Sequence, residues 1–357
     1  MNDNITKMKK KQKLRASYIC ECHKVIAYTS DMMFKIPGDM GESDDFVSEK
    51  NTNLHLGVAT CFNEIVGIYK KRVLRSKHCS ECGAILPETV GMAKTFKVCL
   101  LGQKGRGKTV FTLAMTDLLS SINRFPIAKK EGFSIELETF EADYEKMRLK
   151  MVEDFKSNKL PAPTPIMSKD IHLSYKASNE HLQACVNLLL YDYFGEIGNS
   201  TLRSSANVNY ADAIFFFVDG KDLSNATEVS NTYEYLKNII LSMNRKIPFY
   251  ILISKSDQLL DRTQRMERNS LTKKGDMYTS VHDNGFATKH YQVEEKRSLE
   301  YMDTKLLNML HTNFGKHNVF CCMISCINDE HVYLGVETPI LQFLARTGIY
   351  PYKEGEA

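Results

Sequence analysis

No stretch of this chain is long and apolar enough to cross a bilayer, which takes ~18 consecutive apolar residues. The longest comparable run, Ala213 to Val218, reads instead as a buried strand. Nor is an export signal expected. The N-terminal cations (Lys7, Lys9, Lys10, Lys11, Lys13, Arg15) are not followed by an apolar segment, so a soluble, cytoplasmic chain with no membrane association is expected. Charge of one sign is scarce: 47 basic residues against 43 acidic ones leave +4, too little to imply nucleic acid. With 43% apolar and 25% charged residues, the composition excludes wholesale disorder and collagen-like structure. What remains is a globular chain of 357 residues with room for two domains.

Ten cysteines are present. Cys99, Cys185, Cys321 and Cys322 lie in strand-like runs, where thiols behave as small buried hydrophobes. A secreted disulfide scaffold does not fit this length without an export signal. Cys20, Cys22, Cys61, Cys79, Cys82 and Cys326 therefore raise the question of metal. Cys79-Ser80-Glu81-Cys82-Gly83 has a zinc-knuckle spelling, with two thiolates on a tight turn. Two further ligands are expected from Cys20-Glu21-Cys22-His23, where Cys22 and His23 remain alternatives for the fourth, with Cys61 and His78 in reserve.

Two regions differ in texture. Residues 1–92 carry the basic tail, an acidic stretch from Gly38 to Glu49, and a second basic run of Lys70, Lys71, Arg72, Arg75 and Lys77. They show no long amphipathic helix, and their expected structure is a small module held by something other than a core, with one structural Zn²⁺ in that role. The basic runs read as a solvated tail and strand edge in preference to a ribosome or nucleic-acid contact. Over 93–357, strands and helices alternate. Phe96 to Leu101, Ile171 to Tyr175, Val186 to Tyr191, Ala213 to Val218, Phe249 to Ile253 and Val319 to Ile324 read as strands. Between them lie helical stripes: Val110, Leu113, Ala114 and Leu118; Phe140, Tyr144, Met147, Met151 and Phe155; Val229, Tyr233, Leu236, Ile240 and Met243; and Leu299, Met302, Leu306, Met309 and Leu310. Thr338, Pro339 and Gly348 punctuate a last helix. The alternation predicts an α/β domain, a mainly parallel sheet with helices on both faces. A polar insertion, about 258–290, reads as a long surface loop.

The strongest chemical signal is Gly102-Gln103-Lys104-Gly105-Arg106-Gly107-Lys108-Thr109, a G-x-x-x-x-G-K-T between an apolar strand and an amphipathic helix. Its glycines let backbone amides turn inward around phosphate oxygens, and the helix N-terminus adds its dipole. Lys108 is placed to reach the β- and γ-phosphates and Thr109 to bind Mg²⁺. Asp192-Tyr193-Phe194-Gly195-Glu196 follows a strand at the sheet end where ligands meet open α/β folds. There Asp192 can hold the Mg²⁺ hydration shell and Gly195 can offer its amide to the γ-phosphate.

Three more segments are similar to GTPase motifs. Ser254-Lys255-Ser256-Asp257 resembles the N/T-K-x-D motif, which implies that Asp257 reads guanine, Lys255 covers the base and the Ser254 hydroxyl braces the phosphate loop. Ser325-Cys326 resembles the S-A-type turn whose amides meet guanine O6. Leu160-Pro161-Ala162-Pro163-Thr164-Pro165 lies between the first helix and the second strand, where GTPases carry a switch I threonine for Mg²⁺ and the γ-phosphate. Taken in order, these elements resemble a Ras-like P-loop G domain of the translation-factor-related class. More narrowly, they resemble the bacterial double-GTPase proteins, with a zinc-ribbon-like end at Cys79 to Pro87 before the phosphate loop. The resemblance implies GTP/GDP with Mg²⁺, slow GTP hydrolysis and switch behaviour through Thr164 and the segment after Asp192. It also implies a protein partner or effector, possibly a second GTPase encoded nearby, and a conflict or stress-response setting. Glu196 stands where a water-orienting glutamine is usual, and Lys104, at a normally small position, could supply the compensating cation, with Arg106 as the alternative.

Overall fold

The computed structural model describes residues 6–7, 13–20, 22–36, 45–51, 53–59, 64–74, 76–122, 132–137, 150, 153–154, 157, 159, 171–192, 206–243, 246–259, 299, 301–326, 335–336 and 338–349. Most of the expected helix around Phe140 to Phe155, the 160–165 segment and nearly all of the 258–290 insertion lie outside the described residues.

The chain opens with short strands: β1 (Thr6–Lys7), β2 (Lys13–Ile19), β3 (Val25–Tyr28), β4 (Met32–Ile36), β5 (Asp45–Ser48), β6 (Leu54–Ala59), β7 (Glu64–Tyr69), β8 (Arg72–Leu74), β9 (Lys77–Cys79) and β10 (Ile85–Leu86). They pair antiparallel as two four-stranded sheets, β1-β6-β7-β8 and β10-β9-β4-β5, beside a β2-β3 hairpin. Alternate residues point inward, so that Leu14, Tyr18, Ile26, Met32, Phe34, Leu56 and Ile65 are buried together. This corrects the expectation of a module without a core. Each strand contributes only two or three inward side chains, too few to register as periodicity along the sequence. The second basic run is also divided. Lys70 and Lys71, both at positive φ, form the exposed turn between β7 and β8 with Arg72, whereas Lys77 is fully buried in β9.

The remainder runs β11 (Lys94–Leu101), α1 (Lys108–Ile122), β12 (Phe133–Leu137), β13 (Ile171–Asn179), β14 (Ala184–Asp192), α2 (Ala206–Asn209), β15 (Ala213–Asp219), α3 (Ala226–Ser242), β16 (Phe249–Ser254), α4 (Thr304–Phe314), β17 (Val319–Met323) and α5 (Thr338–Thr347). A seven-stranded sheet orders these as β12-β13-β14-β11-β15-β16-β17. The five strands from β14 to β17 are parallel, and β13 and β12 are antiparallel additions at one edge. Edge strand β12 was not anticipated; it lies between the first helix and the strand containing Ile171, so the 160–165 segment follows an extra strand.

Both sheet faces are covered, as the alternation predicts. In β15 every residue is buried. Ile214, Phe216 and Val218 face one core with Leu236 and Ile239 of α3 and Leu306 and Leu310 of α4. Phe215 and Phe217 face the other, with Phe111 and Ala114 of α1 and Ile340 and Leu344 of α5. Helix ends follow local chemistry. Asn225 caps α3 by accepting from Thr227 and Glu228 amides, Asp303 caps α4 in the same way, and Gly348 takes φ +78° just past α5.

The N-terminal strands pack against the α3/α4 side of the sheet, and Lys97 of β11 lies at the junction. Its buried ammonium donates to the Ile19 carbonyl and lies 4.9 Å from the Tyr18 ring centroid and 5.7 Å from that of Tyr191. Two aromatic faces and a carbonyl replace the water this cation loses. Tyr18→Ala removes both packing and a cation partner and is expected to destabilise the chain by about 3–5 kcal/mol. Lys97→Met, which removes the charge and keeps the volume, is expected to cost far less. Chemical denaturation midpoints of the two variants check the contrast.

Candidate functional site

Strand β11 ends at Leu101, and its parallel neighbours fix what surrounds that end. Leu100 pairs with Asp192 of β14 and Leu101 with Phe216 of β15, while Asp219 of β15 pairs with Ser254 of β16. After β11 the chain crosses to one edge of the sheet as β12, returns through β13 to β14 beside β11, and then continues on the other side as β15, β16 and β17. The edge beyond its C-terminal end is thus the topological switch point where open α/β sheets bind ligands. Gly102 to Thr109 lie there.

The loop's shape depends on missing side chains. Gly102 has φ +141°, and a Cβ there would come 2.7 Å from the Phe217 carbonyl oxygen. Gly107 has φ +88°, and a Cβ there would lie against Ser254 at 3.8 Å. The Phe111 amide donates to the Gly107 carbonyl, starting α1 at once. Lys108 is buried, with Nζ donating to the carbonyls of Gly102 (2.8 Å) and Gln103 (3.2 Å), so its cation is held inside the loop. Thr109 is the second residue of α1, and Lys104 and Gly105 are exposed at the loop's tip. Helix α3 braces the loop from behind. Burial pushes the Tyr235 phenol up to about 12, and a hydrogen bond with the Gly102 backbone opposes that rise.

Arg106 points away from the loop interior into a group of carboxylates. Its guanidinium bonds Gln103 Oε1 (3.0 Å) and Glu228 Oε2 (3.1 Å), pairs with Asp222, and lies 3.8 Å from Asp219. Burial holds the Asp222 carboxyl above the usual carboxylate range; Arg106 works against that rise, and Asp219 and Glu228 add to it. The Lys255 ammonium pairs with the same Asp219. None of the three acids was singled out from sequence. For Asp219 the visible signal was its position at the end of a fully apolar strand.

The base-side turn is assembled from β16 and β17. Lys255 takes a left-handed backbone (φ 55°, ψ 35°), Ser256 to Gln258 form a 3-10 turn, and the Ser256 amide donates to the Ile324 carbonyl at 3.1 Å. That bond brings Ser325 and Cys326 beside the turn. The buried Ser254 hydroxyl, expected to brace the phosphate loop, donates instead to the Val218 carbonyl (3.2 Å), because that acceptor lies on the adjacent paired strand. Of Asp192 and Asp257 only the backbone is described. Thr164, Gly195 and Glu196 lie outside the described residues.

A second cluster lies in the N-terminal strands. The thiols of Cys20, Cys22, Cys79 and Cys82 are all within 4.8 Å of one another, with Cys20–Cys82 at 3.6 Å and Cys22–Cys79 at 3.7 Å. Four sulfurs about 2.3 Å from a central zinc define a tetrahedron with edges of about 3.8 Å, so this donor set is compatible with zinc. Of the two alternatives left open by spacing, Cys22 is the one whose side chain lies in the cluster. His23, in a left-handed turn, is exposed, its ring nearly perpendicular to that of Tyr210 with centroids 6.3 Å apart. His78 also lies outside the cluster of thiols. Its Nδ1 donates to the Gly83 carbonyl (2.9 Å), which leaves Nε2 to accept from Ser76 (2.8 Å), and so it fixes the knuckle turn from outside. Burial pushes the Cys20 and Cys82 thiols up; burial acts on Cys79 as well, but amides of Cys82 and Glu81 and the neighbouring thiols bring it below the ordinary value.

A mostly parallel sheet of this order with a G-x-x-x-x-G-K-T loop at its switch point is the architecture of a P-loop G domain. A family model described as Double-GTPase 2 matches residues 97–302, more than half of the chain, and the chain belongs to that family. Comparison with curated proteins gives no match. Among the described residues no helix is long and apolar enough to cross a membrane. Because a Cβ on Gly102 meets backbone rather than a movable side chain, Gly102→Ala is expected to destabilise the chain by about 1–3 kcal/mol. It should also loosen the 102–109 loop, as read by thermal denaturation and amide exchange of that segment.

Proposed function

We propose that this chain is a guanine-nucleotide switch that binds GTP with Mg²⁺ at the C-terminal edge of its seven-stranded sheet and hydrolyses GTP slowly. The observation carrying this reading is the convergence on one sheet edge of the Gly102–Thr109 loop, the end of β14 at Asp192 and the Lys255–Gln258 turn beside Ser325. Family membership supports it independently. The bound phosphates would take hydrogen bonds from the loop amides of residues 103–109 and from the Lys108 ammonium. Thr109 and Asp192 are the described residues suited to hold Mg²⁺, one opening α1 and the other ending the strand beside β11. The metal, when bound, would offset negative charge on the β- and γ-phosphates. Asp257 would accept from guanine N1–H and the N2 amine, Lys255 would lie along the base, and Ser325 and Cys326 would offer amides to O6.

Hydrolysis is assigned to Glu196 orienting water, Thr164 and Gly195 closing on the γ-phosphate, and Lys104 supplying charge from the exposed loop tip. Arg106, held by carboxylates, is the weaker candidate for that last role. The same reading divides the chain at residue 92. It treats 1–92 as a zinc-ribbon-like module in which Cys20, Cys22, Cys79 and Cys82 hold one structural Zn²⁺. It places the chain in the cytoplasm, with a protein partner, possibly a neighbouring second GTPase, in a bacterial conflict or stress response.

GTP is expected to displace a labelled guanine nucleotide from the purified chain far more effectively than ATP. Asp257→Asn should weaken GTP and favour xanthosine triphosphate, since a lost charge-assisted pair of hydrogen bonds is worth several kcal/mol. Lys104→Ala should lower turnover with little change in GTP affinity. Equal competition by ATP and GTP would overturn the guanine assignment, and parental turnover in Lys104→Ala would remove that lysine from hydrolysis.

Metal analysis of protein prepared without chelator is expected to return close to one zinc per chain, falling in Cys79→Ser and Cys22→Ser but not in His23→Ala. Because the thiols must shed protons to bind, zinc should be released progressively as pH falls. Absence of zinc, or its loss in His23→Ala, would contradict the four-thiolate site.

A further inference from the structure

Two cations flank the proposed nucleotide site, one from each of its loops, and one carboxylate touches both. Asp219 is buried at the end of β15. Its Oδ1 accepts from the Lys221 amide at 3.0 Å, which fixes the carboxylate's orientation. Its Oδ2 meets Lys255 Nζ on one side and lies 3.8 Å from the Arg106 guanidinium on the other. Asp222 and Glu228 pair with Arg106, whereas Asp219 meets both Arg106 and Lys255 and so bridges the two loops.

Both partners need such a hold. Arg106 lies between Gly105 and Gly107, in a loop whose glycines give it little stiffness of its own. Lys255 is a non-glycine residue in the left-handed region, a conformation that persists only where the surroundings enforce it. The direction in which residues 256 and 257 leave that turn is set at Lys255. A carboxylate anchored on a rigid strand can therefore fix the phosphate loop and the base-side turn relative to each other, which neither loop can do from its own backbone.

We propose that Asp219 is the positioning residue that keeps the phosphate loop and the base-side turn in one register, acting through Arg106 and Lys255. This rests on the guanine-nucleotide reading above for its functional consequence, though not for its structural one. Asp219 is not itself assigned to nucleotide; it contacts Arg106 of the phosphate loop and Lys255 of the base-side turn, so its effect on binding runs through them.

The test compares the full chain with Asp219→Asn, an isosteric change that removes the charge, by amide exchange without nucleotide and by titration with fluorescently labelled GDP and Mg²⁺. Without nucleotide, residues 102–109 and 254–258 are both expected to exchange about tenfold faster in the variant, while β12 and β13 keep the parental rate. Loosening of neither segment, of only one, or of the whole sheet alike would overturn the proposal. Labelled GDP should bind about tenfold more weakly to Asp219→Asn, and adding Lys255→Met to that variant should cost much less than Lys255→Met costs the parent. Full additivity would mean that Asp219 does not act through Lys255, and would overturn the proposal too. If the parent itself fails to bind GDP, the nucleotide reading fails while the exchange comparison still decides the role of Asp219. Arg106→Lys keeps the charge but loses the guanidinium fork; it should loosen 102–109 and leave 254–258 at the parental rate, and provides a second chain if Asp219→Asn does not fold. Loosening of both segments in Arg106→Lys would assign the shared register to Arg106 and overturn the role of Asp219.

Discussion

Everything at the nucleotide edge depends on how β11 ends. The strand is paired in parallel on both sides, so its last residues cannot shift without breaking two ladders. Directly beyond it, the Phe217 carbonyl occupies the space a Cβ at Gly102 would need. The chain must therefore leave the sheet at Gly102 in a conformation closed to other residues, and that exit sets the curl of the loop and the start of α1 six residues later. Asp192, Asp219 and Ser254 reach the same edge because parallel pairing brings the ends of β14, β15 and β16 level with that exit.

Charge at this edge is arranged before any ligand arrives. Lys108 is held by carbonyl oxygens, Arg106 and Lys255 by carboxylates. An anion in the loop would compete for Lys108 with neutral acceptors, while displacing Arg106 would mean breaking charge-assisted bonds, which are roughly twice as strong as neutral ones. Of the loop's cations, Lys108 is thus available to phosphate and Arg106 is committed to the scaffold. The N-terminal strands reach β11 through another cation, Lys97, held by Tyr18 and the Ile19 carbonyl immediately before the first thiol of the cysteine cluster.

Legibility in the sequence followed the way each element is buried. Strands covered on both faces, such as Ala213 to Asp219, appear as unbroken apolar runs, and the phosphate loop declares itself by spelling and flanks. The short antiparallel strands of the first 86 residues did not, because two inward residues such as Leu54 and Leu56 make no recognisable period, and their shared core exists only once distant strands meet. Spacing could not choose between Cys22 and His23, since the two are adjacent and the choice depends on a left-handed backbone at His23. The ion cluster around Arg106 was hidden for a similar reason: Glu228 is 122 residues away in sequence, and only the path of α3 brings it back. Ser254 shows the opposite failure, a motif position whose hydroxyl follows its neighbouring strand instead of the motif.

The central claim is that one edge of this sheet, built from the ends of β11, β14, β16 and β17, receives a guanine nucleotide. Amide exchange of the full chain with and without GDP and Mg²⁺ tests it most directly. The account predicts strong protection confined to residues 102–109, 254–258 and 325–326, with the N-terminal strands unchanged. Protection that appears elsewhere, or none at saturating GDP, would contradict it.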